Sequence, residues 1–231
     1  VSTGEAPIAV GTHALIEDEV QFADLALAIV DEQHRFGVRQ RLALGKKGAR
    51  RQPHQLMMSA TPIPRTLAMS YYADLDVSVI DQMPPGRVPV VTRLVSEARR
   101  GEVTQRIRDA CVAGSQAYWV CPLIEESEAL QLKTALETYD TVRKTFPELK
   151  VGLLHGRLKG EEKARVMAAF QSGELQLLVA TTVIEVGVDV PNATLMVIEH
   201  AERMGRGQMH QLRGRVGRGA EESACILLYQ N

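Results

Sequence analysis

The sequence has no G-x-x-x-x-G-K-[ST] stretch, so it carries no loop of the kind that cradles nucleotide phosphates with backbone N–H groups and a lysine. Aromatic residues are scarce: five Tyr, four Phe and one Trp in 231 residues, several of them inside apolar runs. An exposed platform for stacking unpaired bases is therefore poorly supplied. The three cysteines, Cys111, Cys121 and Cys225, are odd in number and lack metal-ligand spacing. That excludes a disulfide framework and fits reduced thiols. No apolar run approaches the ~20 residues that cross a bilayer, and no signal peptide opens the chain. Net charge is −1, which argues neither for nor against a polyanionic partner.

What is present is uneven. Residues 35–51, "RFGVRQRLALGKKGARR", hold seven basic side chains and no acid. Residues 203–219, "RMGRGQMHQLRGRVGRG", hold five arginines and no acid. Each reads either as a solvated basic face or as a surface for phosphates.

Short apolar runs alternate with amphipathic stretches. Seven of them read as buried strands: 26–30, 55–60, 117–123, 150–155, 175–181, 194–199 and 224–229. In "EEKARVMAAFQSG" the spacing predicts a helix with Val166, Met167, Ala169 and Phe170 on one face. Glu161 and Glu162 sit at its positive end, and Gly173 supplies the stop. Strands apolar on both faces, alternating with helices, indicate an α/β protein with parallel sheets covered on both sides. "QMPPGRVP" at 82–89 continues neither element type, so a linker is expected near residue 88.

Several stretches carry chemistry. In "LAIVDEQHRFG", Asp31 and Glu32 follow a strand directly, and parallel sheets present ligands at the carboxyl ends of strands. Asp31 would hold Mg²⁺ and Glu32 would orient or deprotonate a water. A polar strand end is the alternative. In "QLRGRVGR", a helix would place Gln211, Arg215 and Arg218 on one face. Gly214 and Gly217 would each cost that helix about 1 kcal/mol, a penalty that makes sense where another surface approaches the backbone. Guanidinium forks so presented suit a polyphosphate. In "VATTVIEVGVDVP", Thr181 and Thr182 offer hydroxyls to a nucleic-acid phosphate. There Gly187 permits close backbone approach, and Asp189 accepts from a ribose hydroxyl. "MMSATPIPRT" reads as strand, polar turn and proline-started helix. His34 and His155 read first as structural histidines.

"DEQH", "SAT", "LLHGRL", "ATTVIEVGVDVP" and "QLRGRVGRG" follow one another in the order and spacing of superfamily 2 helicase motors, which the chain resembles. "VGTHALI", "DEQHRFGVRQR", "SATPIPRTLAMSYYADLDVSVID", "PPGR" and "HQLRGRVGRG" are similar to the RecG family of bacterial ATP-dependent DNA helicases. The transcription-repair coupling factor, which shares "EHRFGV"-type and "TPIPRTL"-type stretches, is the alternative within the superfamily. A non-catalytic nucleic-acid-binding module is the alternative outside it, although binding alone needs neither acid. The family carries an aromatic residue where Met204 stands.

The resemblance implies two RecA-like parallel-sheet domains in tandem. Residues 1–88 would be the C-terminal part of the first domain, incomplete at its N-terminus, and residues 89–231 the second. ATP and Mg²⁺ would lie between them. Asp31 and Glu32 would act on the metal and the water, with Gln211, Arg215 and Arg218 on the nucleotide and both arginines as fingers. Gly187 and Asp189 would line the nucleotide site. His34, Ser59 and Thr61 would couple closure to DNA grip. Gly11, Thr12, His155, Gly156, Arg157, Thr181 and Thr182 would lie along the DNA. The implied protein is a monomeric motor of the bacterial cytoplasm, without membrane contact, remodelling branched DNA in recombination and repair. The sequence here is expected to be an internal segment of it, inactive alone for want of the phosphate loop.

Overall fold

The computed structural model describes residues 1–33, 36–48, 51–60, 76–121, 128–181 and 190–230, without the side chains of 38, 41 and 128–131. The chain divides into two compact units, Val1–Leu75 and Asp76–Asn231. The division falls upstream of the expected 88/89 boundary, and there is a physical reason for this. Arg87 donates from Nε to the Gly217 carbonyl at 2.9 Å, which ties the proline-rich stretch to the second unit.

In the first unit, a short 3-10 turn (His13–Ile16) precedes β1 (Leu27–Val30), helix α1 (Val38–Lys46) and β2 (His54–Met57). β1 and β2 pair in parallel, Val30 opposite Met57. One face packs: Ile16, Ala28, Val30 and Leu44 form a small core. The other does not, since Leu27, Ile29 and Leu56 are half exposed or more. The expectation of strands apolar and covered on both faces therefore fails for β1 and β2 among the described residues. Helix α1 begins where Gln40 Oε1 accepts from the Gly37 N–H at 3.0 Å, which satisfies one orphan donor of the first turn. The basic run is divided by function. Arg39, Lys46 and Arg51 are exposed, whereas Lys47 Nζ donates to the carbonyls of Glu17 and Val20, both at 2.6 Å.

The second unit contains β3 (Val91–Ser96), α2 (Arg100–Val112), β4 (Gln116–Val120), α3 (Glu128–Thr145), β5 (Val151–Leu154) and α4 (Gly160–Gln171). After these come β6 (Leu177–Ala180), β7 (Ala193–Ile198), α5 (Arg206–Arg213) and β8 (Ala224–Tyr229). The strands make one parallel sheet in the order β3-β8-β7-β4-β6-β5. Alternation along β4 shows why it is covered twice. Tyr118 and Val120 point into a core with Phe170 of α4 and Leu212 of α5. Trp119 and Ala117 point the other way, among Ile107 of α2 and Ala135 and Val142 of α3. Each of the larger aliphatic and Phe side chains among these contributes roughly 1.5–3 kcal/mol. β3 was not among the expected strands. It is a sheet edge whose first four residues are exposed, so it lacks the apolar run that marks its neighbours.

Helix α4 follows the sequence closely. Glu162 accepts from the Lys159 N–H at 3.0 Å, Phe170 is fully buried, and Gly173 takes φ 79° beyond the end. Met204 is buried in the core beside α5, a place that asks for bulk and apolarity, which Met supplies as an aromatic would.

Candidate functional site

In the first unit, the two acids stand at the carboxyl end of β1. Asp31 is exposed and Glu32 half-buried. The backbone turns sharply there: Glu32 takes φ 50°, a left-handed conformation unusual for a side chain of its length. Its N–H donates to Asp31 Oδ1 at 2.8 Å, so the first carboxylate helps hold the turn that aims the second. The Gln33 N–H donates to the Met58 carbonyl at 3.0 Å and the Met58 N–H to the Val30 carbonyl at 2.8 Å. These bonds lock the ends of β1 and β2 together and bring Ser59 to the same edge as the acids. A pair of carboxylates beside one strand end, the first exposed and the second half-buried, fits a hard cation such as Mg²⁺, which keeps most of its water and takes one or two carboxylates. Gly11 and Thr12 lie at the 3-10 turn, where Thr12 Oγ1 accepts from the Ala14 N–H at 3.5 Å as its cap. His34 and Thr61 lie outside the described residues.

In the second unit, the carboxyl edge of the sheet gathers the candidates that follow β5 and β6. His155, Gly156 and Arg157 follow β5, and Arg157 is exposed. The Gly156 carbonyl accepts from Lys163 Nζ at 2.8 Å. The His155 pKa is lowered, first by burial and then by the charges of Lys163 and Arg157, so the imidazole favours its neutral form. Thr181 follows β6 but is buried, and its N–H donates to the Leu154 carbonyl at 3.1 Å. Its expected hydroxyl contact with a phosphate is thus not offered at the surface. Thr182, Gly187 and Asp189 lie outside the described residues.

The arginine stretch departs from expectation. No helix spans 211–218: α5 ends at Arg213, and Gly214 is its cap. The turn tightens through bonds from the Arg215 N–H to the Leu212 carbonyl at 2.8 Å and from the Val216 N–H to the Arg213 carbonyl at 3.3 Å. Gly217 then takes φ 70°, which ends any helical path. Gln211 therefore sits in the last turn of α5, Arg215 in the turn after it, and Arg218 beyond Gly217, rather than on one helical face. Buried Val216 anchors the loop, and Arg218 Nε donates to the Gly214 carbonyl at 3.1 Å. The reading of close approach at a glycine holds at Gly217, where a Cβ would meet Val90 Cγ2 at 2.5 Å.

Two features escaped the sequence reading. Arg87 stands in the sequence within the expected linker and the "PPGR" stretch, without a role of its own, although the Pro-Gly pair before it signals a turn. Glu199 was read as the end of a strand. It is buried, and it accepts from Trp119 Nε1 at 2.6 Å and from Arg100. An acid closing an apolar run was the available signal, because such a group needs partners.

Residues 102–220, just over half of the chain, match the helicase conserved C-terminal domain, and the chain belongs to that family. Within it, the sequence is similar to proteins named ATP-dependent DNA helicase RecG. That of Escherichia coli (strain K12) is 60% identical, covering 100% of this chain and 34% of the relative. That of Thermotoga maritima (strain ATCC 43589 / DSM 3109 / JCM 10099 / NBRC 100826 / MSB8) is 55% identical, covering 97% and 29%. The chain thus spans about a third of the length of these curated relatives. A solved structure of RecG bound to a three-way DNA junction superposes with a TM-score of 0.73 at 51% identity, covering 96% of this chain and 28% of that one. A Saccharomyces cerevisiae Dbp5 variant bound to RNA and ADP BeF3 shares the fold, with a TM-score of 0.65 at 15% identity over 95% of this chain and 57% of that one. The parallel-sheet α/β architecture is that of RecA-like helicase domains.

Proposed function

We propose that this chain is motor sequence of an ATP-dependent DNA helicase that remodels branched DNA in recombination and repair, as a monomer in the bacterial cytoplasm. The observation that carries the reading is the 60% identity over the full chain to RecG of Escherichia coli. The paired carboxylates at the end of β1 support it, since they are of little use to a protein that only binds. Residues 1–88 would contribute to the first RecA-like domain and 89–231 would be the second.

In this mechanism Asp31 and Glu32 would hold Mg²⁺ and the attacking water, and Glu32 would take the water's proton. Bound Mg²⁺–ATP supplies the phosphoryl group and the charge to be neutralised. Gln211, Arg215 and Arg218 meet the nucleotide from the second domain, the two guanidiniums balancing charge that grows in the transition state. Gly187 and Asp189 line the nucleotide, while His34, Ser59 and Thr61 pass closure of the cleft to the DNA grip. Gly11, Thr12, His155, Gly156, Arg157 and Thr182 hold the sugar–phosphate backbone. Thr181 acts through its backbone position, since its side chain is buried.

The test is ATP turnover by the full-length protein on forked, duplex and single-stranded DNA, with and without Arg218→Ala. Branched DNA should stimulate most. The variant should lose roughly 10³–10⁵ in turnover while still binding DNA. Equal stimulation by all three DNAs would defeat the branched-substrate reading, and wild-type turnover in the variant would defeat the finger assignment.

A further inference from the structure

We infer that Arg87 is a positioning residue for the arginine loop 214–218, acting on the peptide plane that aims Arg218; the inference rests on the finger assignment proposed above. Gly214, Gly217 and Gly219 punctuate this stretch, and glycine fixes a backbone less than any other residue. Within the loop, Arg218 Nε donates to the Gly214 carbonyl at 3.1 Å, and the backbone that carries both groups is held in turn by a contact from outside.

Residues 84–91 supply that fixture. Pro85 and Gly86 occupy the central positions of a β-turn closed by the Arg87 N–H donating to the Pro84 carbonyl at 3.2 Å. Gly86 takes φ 79°, as the third residue of a type II turn requires. The turn sends the Arg87 side chain back across the loop, where Nε donates to the Gly217 carbonyl at 2.9 Å. That carbonyl belongs to the peptide bond joining Gly217 to Arg218. Two more contacts hold the turn itself in place. Val90 lies hard against Gly217, leaving only 2.5 Å between its Cγ2 and the position of a Cβ. The Val91 N–H donates to the Ser223 carbonyl at 2.9 Å, where the pairing of β3 with β8 begins.

The arrangement has a direct consequence. Gly217, at φ 70°, faces no Cβ penalty in other conformations, so without the Arg87 bond the 217–218 peptide can rotate and carry Arg218 with it. A cleft of about 450 Å³ lies between the turn, including Arg87, and the loop, including Arg218, leaving room for that movement. Displacing a catalytic group by about 1 Å costs roughly 10²-fold in rate.

The test uses the full-length protein carrying Arg87→Ala, Arg87→Lys or Arg218→Ala. It measures kcat and KM for ATP at saturating DNA, DNA affinity and the melting temperature. Arg87→Ala should lower kcat roughly 10²-fold while KM, DNA affinity and melting stay near wild type. Arg87→Lys, which keeps a donor within reach of the carbonyl, should restore most of kcat. Should Arg87→Ala fail to fold, Arg87→Met, which keeps the packing of the stem, is read in its place. A near-wild-type kcat in the Ala or Met variant overturns the inference, as does a Lys variant no better than Ala. If Arg218→Ala abolishes turnover while Arg87→Ala does not, the Arg87 role alone fails. If Arg218→Ala leaves turnover intact, the finger assignment fails and takes the Arg87 role with it.

Discussion

Trp119 and Glu199 meet across neighbouring strands in the interior of the second unit, the indole N–H of one donating to the carboxylate of the other at 2.6 Å. Arg100, at the start of α2, reaches the same oxygen and stacks over the indole ring at 5.4 Å. The carboxylate is 2% exposed, whereas the Arg100 side chain is 33% exposed and partly hydrated. Glu97 also holds Arg100, at 2.9 Å. Glu199 immediately precedes the turn into α5, so this cluster fixes where the arginine-bearing segment leaves the sheet.

Glu199→Ala is expected to destabilise the protein by roughly 3 kcal/mol, because it strands a buried N–H and removes the partner of a half-buried cation. Conservative Glu199→Gln, which keeps an acceptor oxygen, should lose less. Urea midpoints for the two variants check this, and identical midpoints would contradict it.

Gly217→Ala should cost about 2 kcal/mol or more. Its φ of 70° penalises any Cβ, and Val90 occupies the space. Gly207, in α5 with nothing near its Cβ direction, should gain up to about 1 kcal/mol when changed to Ala. Thermal melting of the pair should therefore move in opposite directions.

The cysteines should be inert in the native protein. Burial pushes Cys111 up to about 11 and Cys225 up to about 12, and raises Cys121 as well. Little thiolate then exists near neutral pH, and the sulfurs are covered. Labelling with a thiol reagent at pH 8 should be slow until urea unfolds the chain, when all three react. Rapid native labelling would contradict the burial.

His155 gives the stability a pH dependence of known sign. Its folded pKa lies below the ordinary 6.5, so on acidification the unfolded chain takes up the proton first. Stability is complete above that ordinary value and declines as pH falls toward the folded pKa. His155→Gln should flatten this part of the curve, read as urea midpoints between pH 7.5 and pH 5.5. An unchanged slope would assign the dependence to other groups.

Much of the fold was legible because buried parallel strands announce themselves as apolar runs, as β4, β6, β7 and β8 do. β3 was hidden because an edge strand needs cover on little of its surface, and Thr92 and Arg93 break its pattern. The acids were legible from their place after β1, but the left-handed turn at Glu32 was not, since nothing in a Glu residue asks for it. The end of α5 was misread because Gln211, Arg215 and Arg218 fit helical spacing. Gly214 and Gly217 were the competing signal, and a cap followed by a positive φ won. Arg87 was invisible because its partner is a backbone carbonyl 130 residues away in sequence, and no side-chain pattern records such a bond.

The chain has a single tryptophan, and Trp119 is sealed in the core of the second unit. Its emission is therefore a built-in lamp for Asp76–Asn231, while Val1–Leu75 stays dark. A melt followed by that light and by circular dichroism together would separate the unfolding of one unit from that of the other without any label.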